Sequence, residues 1–169
     1  MDHLAPYRIA FEGLKPGGHR YQMEVDEKFF ALFPHSEIQQ ANLSIEVELE
    51  KLGSQLDAQL NLSGTVAVEC DRCLGSFDLS IRFKDRVIAK LGEITDLEGD
   101  VWILGSEIHE LDLSQPIFEF AHLALPNRRI HPDAADCDQD MISRLDGPDD
   151  GNDTEEPIDP RWNALKELK

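Results

Sequence analysis

A β-strand pattern is clearest in residues 56–70, LDAQLNLSGTVAVEC. Apolar side chains from Leu56 to Cys70 occupy every second position, and polar side chains occupy nearly all of the positions between them. A period of two is typical of a strand that buries one face. Gly64 interrupts the apolar row, which indicates a bulge or a bend within one long strand.

The segments before and after this strand repeat its pattern. Apolar residues alternate with polar ones in residues 43–50 and again in residues 77–84. The stretch from Cys70 to Ser76 connects the second and third of these strands at hairpin length. No helical pattern separates the strands, which favours an antiparallel meander or a barrel-like sheet. Further strands are predicted near Tyr7–Phe11, Arg20–Val25 and Val101–Leu104.

The period changes to that of a helix in residues 114–125. Apolar residues at positions 113, 117, 120, 121, 124 and 125 follow spacings of three and four, which is typical of an amphipathic helix. Ser114 is predicted to be the N-cap, Pro116 fits the first turn, and Pro126 ends the helix. The sequence therefore predicts an α+β fold, with this helix packed on a mainly antiparallel meander or barrel-like sheet.

Negative charge is concentrated in one segment near the C-terminus. The chain has 169 residues and a formal net charge of -18, and residues 133–159 contain 11 acidic side chains but only one basic side chain, Arg144. A segment with so few apolar residues cannot offset the entropy lost on ordering. We predict a single β-rich domain over residues 1–143, an acidic disordered linker over residues 144–158, and a short C-terminal helix over residues 159–169.

The predicted C-terminal helix carries a short apolar stripe. Its members are Trp162, Leu165 and Leu168, and Asp159 and Pro160 are well placed to begin the helix. A helix this short needs a surface to pack against, because it gains too little from its own hydrogen bonds. We therefore predict that these three apolar residues dock on a partner.

Composition and motifs argue against several functional classes. Apolar residues make up 41% of the chain, and no apolar run is long enough for a membrane span. The net acidity argues against a protein that coats nucleic acid. We find no phosphate-binding loop, no Gly-x-Ser-x-Gly elbow and no complete zinc-protease motif, so we predict that the protein is not an enzyme. The first residues do not resemble an export signal, so we expect a cytoplasmic location.

Cys70 and Cys73 form the strongest local motif, a Cys-x-x-Cys pair on a predicted turn. Two thiolates at this spacing can bind one metal ion, and His131 and Cys137 are the candidates for the other two ligands. The four residues would form a Cys₃His set, which makes one structural zinc ion the cofactor that the sequence suggests. Two alternatives stay open: cysteines that only pack in the core or make contacts, and a redox pair, which normally opens a helix in a βαβ unit.

Six basic residues fall close to the two cysteine regions along the chain. They are Arg72, Arg82, Lys84, Arg86, Arg128 and Arg129. If the two cysteine regions meet in the fold, these side chains would surround one site and could contact RNA phosphates despite the acidic average. The alternative is an ordinary solvated strand face.

Four features of the sequence resemble the YceD family, the large ribosomal RNA subunit accumulation proteins of bacteria. They are Glu69-Cys70-Asp71-Arg72-Cys73-Leu74 with Phe77 following, Leu111-Asp112-Leu113 leading into a helix with Glu119 and the ending Leu123-Ala124-Leu125-Pro126, His131 with Cys137 shortly after, and Asp159-Pro160-Arg161-Trp162 with Leu165 and Leu168. His131 stands where some relatives have a cysteine, and Arg129 stands where the family often has proline.

This resemblance implies a non-enzymatic factor in the synthesis, processing or accumulation of 23S ribosomal RNA during large-subunit assembly. The expected partners are a ribosomal RNA precursor, a basic large-subunit ribosomal protein, or both, with no membrane and no small-molecule substrate. The alternative function is an acidic adaptor or chaperone that binds a basic ribosomal protein without contacting RNA.

Overall fold

A computed structural model describes residues 2–145 of the chain and confirms the predicted α+β fold. The strands in this part are β1 (Arg8–Ala10), β2 (Gly17–Asp26), β3 (Ala41–Leu52), β4 (Gln55–Glu69), β5 (Ser76–Leu91), β6 (Val101–Leu104) and β7 (Glu110–Asp112). The α-helices are α1 (Glu27–Phe30), α2 (Ser114–Leu123) and α3 (Gln139–Leu145). Short 3₁₀ turns cover Ala5–Tyr7 and Ala134–Asp136. None of the helices described is long and apolar enough to cross a membrane.

Two predictions concern residues outside the described part of the chain. The linker predicted over residues 144–158 overlaps it only at Arg144 and Leu145, which form the end of α3. The predicted C-terminal helix, with the docking residues Trp162, Leu165 and Leu168, lies wholly outside it. The linker beyond Leu145 and the C-terminal helix therefore stay predictions.

Five strands form one open sheet in the order β2-β3-β4-β5-β6. The first three neighbouring pairs are antiparallel, which confirms the meander. The sheet is not closed into a barrel, so the barrel-like alternative is wrong. Strand β6 departs from the meander because it pairs with β5 in parallel, with Ile88 opposite Val101 and Leu91 opposite Leu104. The connecting loop runs back along the sheet before β6 begins, and Asp96 of this loop bridges to Ile103.

The apolar rows of β3 and β4 form the centre of the core. Leu43, Ile45 and Val47 of β3 are completely buried, as the alternation predicts. Helix α2 packs on the inner face of the neighbouring β5, where the ring centroids of Phe120 and Phe83 are 5.4 Å apart, and its Ile117 and Ala121 are buried in the same core. Burying each large aliphatic side chain contributes about 1.5–3 kcal/mol, so this layer supplies much of the driving force for folding.

Gly64 lies in the middle of β4 without producing a bulge. Its φ is +151°, and the pairing with β3 continues in register on both sides of it. A Cβ atom at this position would lie 2.2 Å from the backbone oxygen of Asn42. The residue is therefore a glycine because the backbone of β3 approaches it closely.

The first residue of helix α2 is bound by the carboxylate of Asp112, and Ser114 is not the N-cap that the sequence predicts. Leu113 occupies the N-cap position, and Ser114 is the first helical residue. The Oδ1 atom of Asp112 accepts hydrogen bonds from the backbone N–H and the hydroxyl of Ser114, at 2.9 and 2.5 Å. Nε of Arg8 donates to the other oxygen of Asp112 at 2.9 Å. Because Arg8 and Asp112 are also paired across β1 and β7, this contact links the small β1–β7 sheet to the start of α2.

Candidate metal centre

The fold brings the two predicted cysteine regions together. Candidate ligand atoms of Cys70, Cys73, His131 and Cys137 all lie within 4.8 Å of one another. Cys73 and His131 are 58 positions apart in the sequence, so only the tertiary structure can place them side by side. The four residues could therefore hold one metal ion, as their types predict.

The first half of the site is a tight turn between β4 and β5, which we call the knuckle (residues 70–75). The backbone N–H of Cys70 donates to the oxygen of Gly75 at 2.9 Å, and that of Leu74 donates to the oxygen of Cys70 at 2.8 Å. The backbone N–H of Arg72 points at Sγ of Cys70 at 3.4 Å. These bonds turn both thiols toward the same point.

Leu74 gives the knuckle its unusual backbone. Its φ is +60°, and no other non-glycine residue among those described has a positive φ. This region is unfavourable for a residue with a Cβ atom, by about 1–2 kcal/mol. The Leu74 side chain is 65% exposed, so packing offsets little of this cost. The surrounding fold therefore holds Leu74 in an unfavourable backbone conformation, and this conformation keeps the turn closed around the two thiols.

Leu74→Gly is expected to raise the free energy of unfolding by roughly 0.5–1 kcal/mol, because glycine adopts this φ freely and only its larger unfolded-state entropy opposes the gain. Urea denaturation measures the change. Leu52→Gly is the matched control, because Leu52 is also exposed but has a negative φ. The control should lose stability, and an equal loss in Leu74→Gly would disprove the strain at residue 74.

The second half of the site is attached to the knuckle by backbone hydrogen bonds. The N–H of Asp71 donates to the oxygen of Arg129 at 2.7 Å, and the N–H of Arg129 donates back to the Asp71 carboxylate at 2.6 Å. The ring of His131 packs on Phe77, with 4.7 Å between the ring centroids. Cys137 follows a 3₁₀ turn that Asp133 caps. Each of these contacts limits how far the histidine and the third thiol can move.

The separations of the ligand atoms fit a tetrahedral zinc site. Nδ1 of His131 lies 3.5 Å from Sγ of Cys73 and 3.6 Å from Sγ of Cys137. Zinc binds thiolates at about 2.3 Å and imidazoles at about 2.0–2.1 Å, which in a tetrahedron separates a sulfur from a nitrogen by about 3.6 Å. The same distances suit thiol–imidazole hydrogen bonds. The donor set and the geometry are therefore compatible with zinc.

The surroundings shift the pKa values of two thiols in opposite directions. Burial raises the pKa of Cys70, but the backbone N–H groups of Arg72, Cys73 and His131 and the imidazole of His131 outweigh it and lower the pKa to about 6. Burial and the neighbouring thiols of Cys73 and Cys70 raise the pKa of Cys137 to about 11. At pH 7 the knuckle therefore offers a thiolate to a metal ion, while Cys137 must lose its proton to bind one.

A small apolar layer of its own covers the site. All three cysteines are buried, and Phe77, Met141 and Ile142 pack around them. Met141 and Ile142 belong to α3, a helix that our sequence interpretation missed. The signal was present in Asp138, whose side chain accepts from the first backbone N–H groups of α3 just before this apolar pair. A covered four-ligand set suits a structural ion, because a catalytic ion needs an open position.

The six basic residues divide into two groups and do not ring the site. Arg72 and Arg128 are exposed near the knuckle, whereas Arg129 is half-buried and pairs with Glu37 at 2.8 Å. The second group consists of Arg82, Lys84 and Arg86 on the outer face of β5, which we call the basic row. At about 3.3 Å per residue, Arg82 lies about 17 Å and Arg86 about 30 Å along β5 from Phe77. The predicted ring around one site is wrong, because the cysteines lie at the end of a strand along which the basic row extends away from them.

On the outer face of the sheet, acidic and basic side chains lie on different strands. Strand β3 contributes an acidic row of Glu46, Glu48 and Glu50, and β4 places the uncharged Asn61 and Gln59 between this row and the basic row. Arg86 forms an ion pair with Asp57 at 3.6 Å. Arg82 and Lys84 form no ion pair within residues 2–145. One side of this face is therefore negative, and the β5 side is locally positive.

Comparison with known proteins identifies the family of the chain. The model of the family described as "Large ribosomal RNA subunit accumulation protein YceD" matches residues 58–169, about two thirds of the chain. This segment includes both halves of the candidate metal centre and the basic row. No curated protein and no solved structure matches the chain.

Proposed function

Because the chain belongs to the YceD family, we propose that it promotes accumulation of large-subunit ribosomal RNA by binding that RNA directly, without catalysing a reaction. The family description ties the chain to this RNA but does not name a mode of binding. The proposed role is that of an assembly factor, and it requires the cytoplasmic location expected from the sequence.

The observation that supports direct binding is the basic row. Arg82 and Lys84 are exposed, lie on the same face two residues apart, and have no ion-pair partner in the described chain. Unpaired cations spaced about 6.6 Å apart along a strand can follow a phosphate backbone. The local field at their positions matters more than the distant acidic groups, because charges are screened over about 8 Å at physiological salt.

The proposed zinc ion has a structural part in this function. Cys70, Cys73, His131 and Cys137 would hold it, and the ion would fix the knuckle against the loop that follows α2. Arg72 and Arg128 belong to these two elements, so the ion would hold a second, smaller pair of exposed cations at the end of the sheet. Structural zinc contributes folding free energy directly, without taking part in chemistry.

The double variant Arg82→Ala/Lys84→Ala tests the RNA interface. We expect a loss of roughly tenfold or more in affinity for a 23S ribosomal RNA fragment, and a reduction of about two units in the salt dependence of binding. Fluorescence anisotropy at several salt concentrations measures both quantities in the full-length protein.

The matched control for this test is Arg20→Ala/Lys28→Ala, which removes the same net charge from other exposed positions. Arg20 lies on the same outer face but is paired with Glu48 at 2.9 Å. The control should keep nearly all of its RNA affinity. Equal losses in the two double variants would show that only the overall charge matters and would contradict the proposed interface.

The acidic row gives a second candidate function. Glu46, Glu48 and Glu50 form a negative strip on the β3 side of the sheet, which could hold a basic ribosomal protein instead of RNA. In that case Glu46→Gln/Glu50→Gln would weaken binding of such a protein, and the basic-row variant would leave RNA affinity unchanged. The acidic adaptor would then replace direct RNA binding as the proposed function.

A further inference from the structure

Within residues 2–145, the outer face of the sheet carries no aromatic side chain. The aromatic residues of the strands lie at inner-face positions, each opposite a buried residue of the neighbouring strand, and they are Tyr21, Phe77, Phe83 and Trp102. The other Phe and Tyr residues of this part of the chain lie outside the five strands. The outer face therefore has cations that can bind RNA phosphates but no ring on which a base could stack.

The lack of rings on this face determines which form of RNA it suits. Proteins that bind unpaired RNA commonly hold the bases by stacking them on aromatic side chains. In an RNA helix the bases stack on one another, and proteins recognise the helix through its shape, its phosphates and its 2′-hydroxyl groups. A face with cations and without rings therefore suits helical RNA better than an unpaired strand.

Strand β4 places an uncharged polar side chain beside each cation of the basic row. Ser63, Asn61 and Gln59, which we call the polar row, lie directly opposite Arg82, Lys84 and Arg86. The Cβ atoms of such cross-strand pairs are about 5 Å apart. A hydroxyl or carboxamide group can donate and accept hydrogen bonds, as can a 2′-hydroxyl. Each group that can bind a phosphate therefore has beside it a group that can bind the adjacent ribose.

The acidic row restricts the direction in which an RNA backbone can cross this face. It lies on β3, about 10 Å from the basic row, because β4 separates the two rows and neighbouring strands are about 4.8 Å apart. Charges are screened over about 8 Å at physiological salt, so carboxylates at this distance still repel phosphates. A backbone that crossed the strands would pass over Glu46, Glu48 or Glu50, whereas one that runs along β5 follows the basic row.

We infer that the basic row and the polar row together bind the sugar–phosphate backbone of double-helical RNA, with this backbone running along β5. The three cations contact phosphates, and the three uncharged side chains contact 2′-hydroxyl groups. The inference rests on the proposed function, because it specifies the form of RNA that the same interface binds. It adds a preference that charge alone does not supply, because a DNA helix has phosphates but lacks the 2′-hydroxyl.

Fluorescence anisotropy with three labelled probes tests this preference in the full-length protein. The probes are an RNA hairpin with a stem of about 16 base pairs, a DNA hairpin of the corresponding sequence, and an oligouridine with the same number of nucleotides. We expect the RNA hairpin to bind roughly tenfold or more tightly than oligouridine, and roughly threefold or more tightly than the DNA hairpin, which controls for the charge density of a helix. Equal or tighter binding of either competitor would overturn the inference.

Gln59→Ala/Asn61→Ala tests the polar row without changing the net charge. Its preference for the RNA hairpin over the DNA hairpin should fall roughly threefold, with the salt dependence of binding unchanged. The control Gln22→Ala/Asn42→Ala removes the same two kinds of side chain from the outer face of β2 and β3, and it should keep the wild-type preference. Equal preference in the two variants would contradict the ribose contacts.

The outcomes separate this inference from the proposed function on which it rests. If Arg82→Ala/Lys84→Ala weakens RNA binding but the wild type holds oligouridine as tightly as the RNA hairpin, only the inference fails. If neither RNA probe binds, or if the basic-row variant binds RNA as tightly as the wild type, the proposed interface fails and the inference fails with it.

Discussion

Elemental analysis of the full-length protein, purified without chelator, should find one zinc ion per chain, and Cys137→Ser should reduce this to less than about one tenth. Removing one of four ligands from a closed tetrahedral set leaves an open position and typically costs most of the affinity. His131→Asn should have the same effect through the nitrogen ligand. The control is His109→Asn, because His109 is an exposed histidine that pairs with Glu12, outside the site. Absence of zinc from the wild type, or full occupancy in both ligand variants, would refute the metal centre.

Loss of the ion should loosen one region and leave the sheet intact. Hydrogen exchange in residues 127–145 is expected to accelerate by roughly a hundredfold, because His131 and Cys137 attach this segment to the knuckle. The centre of β3 and β4 should change little, since Leu43 and Ile45 are buried in a separate core. Global unfolding of Cys137→Ser would mean that the ion supports the whole domain.

Zinc binding should also release protons in a way that depends on the two shifted thiols. At pH 7 most Cys70 is already a thiolate, because its pKa is about 6. Cys137, with a pKa of about 11, still holds its proton and must release it when the ion binds. Zinc affinity should therefore fall as the pH is lowered, and more steeply below pH 6, where Cys70 also takes up a proton. Calorimetry in buffers of different ionisation enthalpy counts these protons.

Some parts of the structure were predictable from sequence because the type of a side chain indicates whether it is buried or can bind a metal ion. The alternation in β4 predicted its buried face because a strand with one buried face must alternate. Cys70, Cys73, His131 and Cys137 could be grouped because their side chains are typical zinc ligands, although core packing and a redox role stayed open at that point. The sequence itself contained no information on the distance between the two halves. Their meeting depends on where α2 leads the chain.

The parts that were not predictable depend on pairing and on distance along an element. The sequence of β6 predicts only a short apolar strand. Strand β6 is parallel to β5 because the connecting loop, which contains Asp96, runs back along the sheet before β6 begins. The arginines were grouped by closeness in sequence, but an extended strand carries Arg86 about 30 Å from the knuckle. Helix α3 was missed because the segment after Asp133 is rich in acidic residues. We gave this composition more weight than the apolar pair of Met141 and Ile142.

Gly64→Ala is expected to destabilise the protein strongly, by on the order of 4 kcal/mol. The new Cβ atom would lie 2.2 Å from the oxygen of Asn42 and 2.9 Å from Cα of Leu43, and both of these atoms belong to the backbone of β3. A backbone cannot move aside as a flexible side chain can, so the two central strands would have to separate. The φ of +151° adds a conformational penalty for any residue with a Cβ atom.

The control for this prediction is Gly13→Ala, because a Cβ atom at Gly13 meets nothing within 4 Å. Urea denaturation should show little change for Gly13→Ala and a large drop in the midpoint for Gly64→Ala. A loss below about 1 kcal/mol in Gly64→Ala would mean that β3 and β4 can separate at low cost. In that case β4 could not hold the knuckle rigidly, and the metal centre would need its ion to keep Cys70 and Cys73 in place. A large loss would instead show that β3 and β4 cannot separate at Gly64 without weakening the sheet from which the knuckle extends.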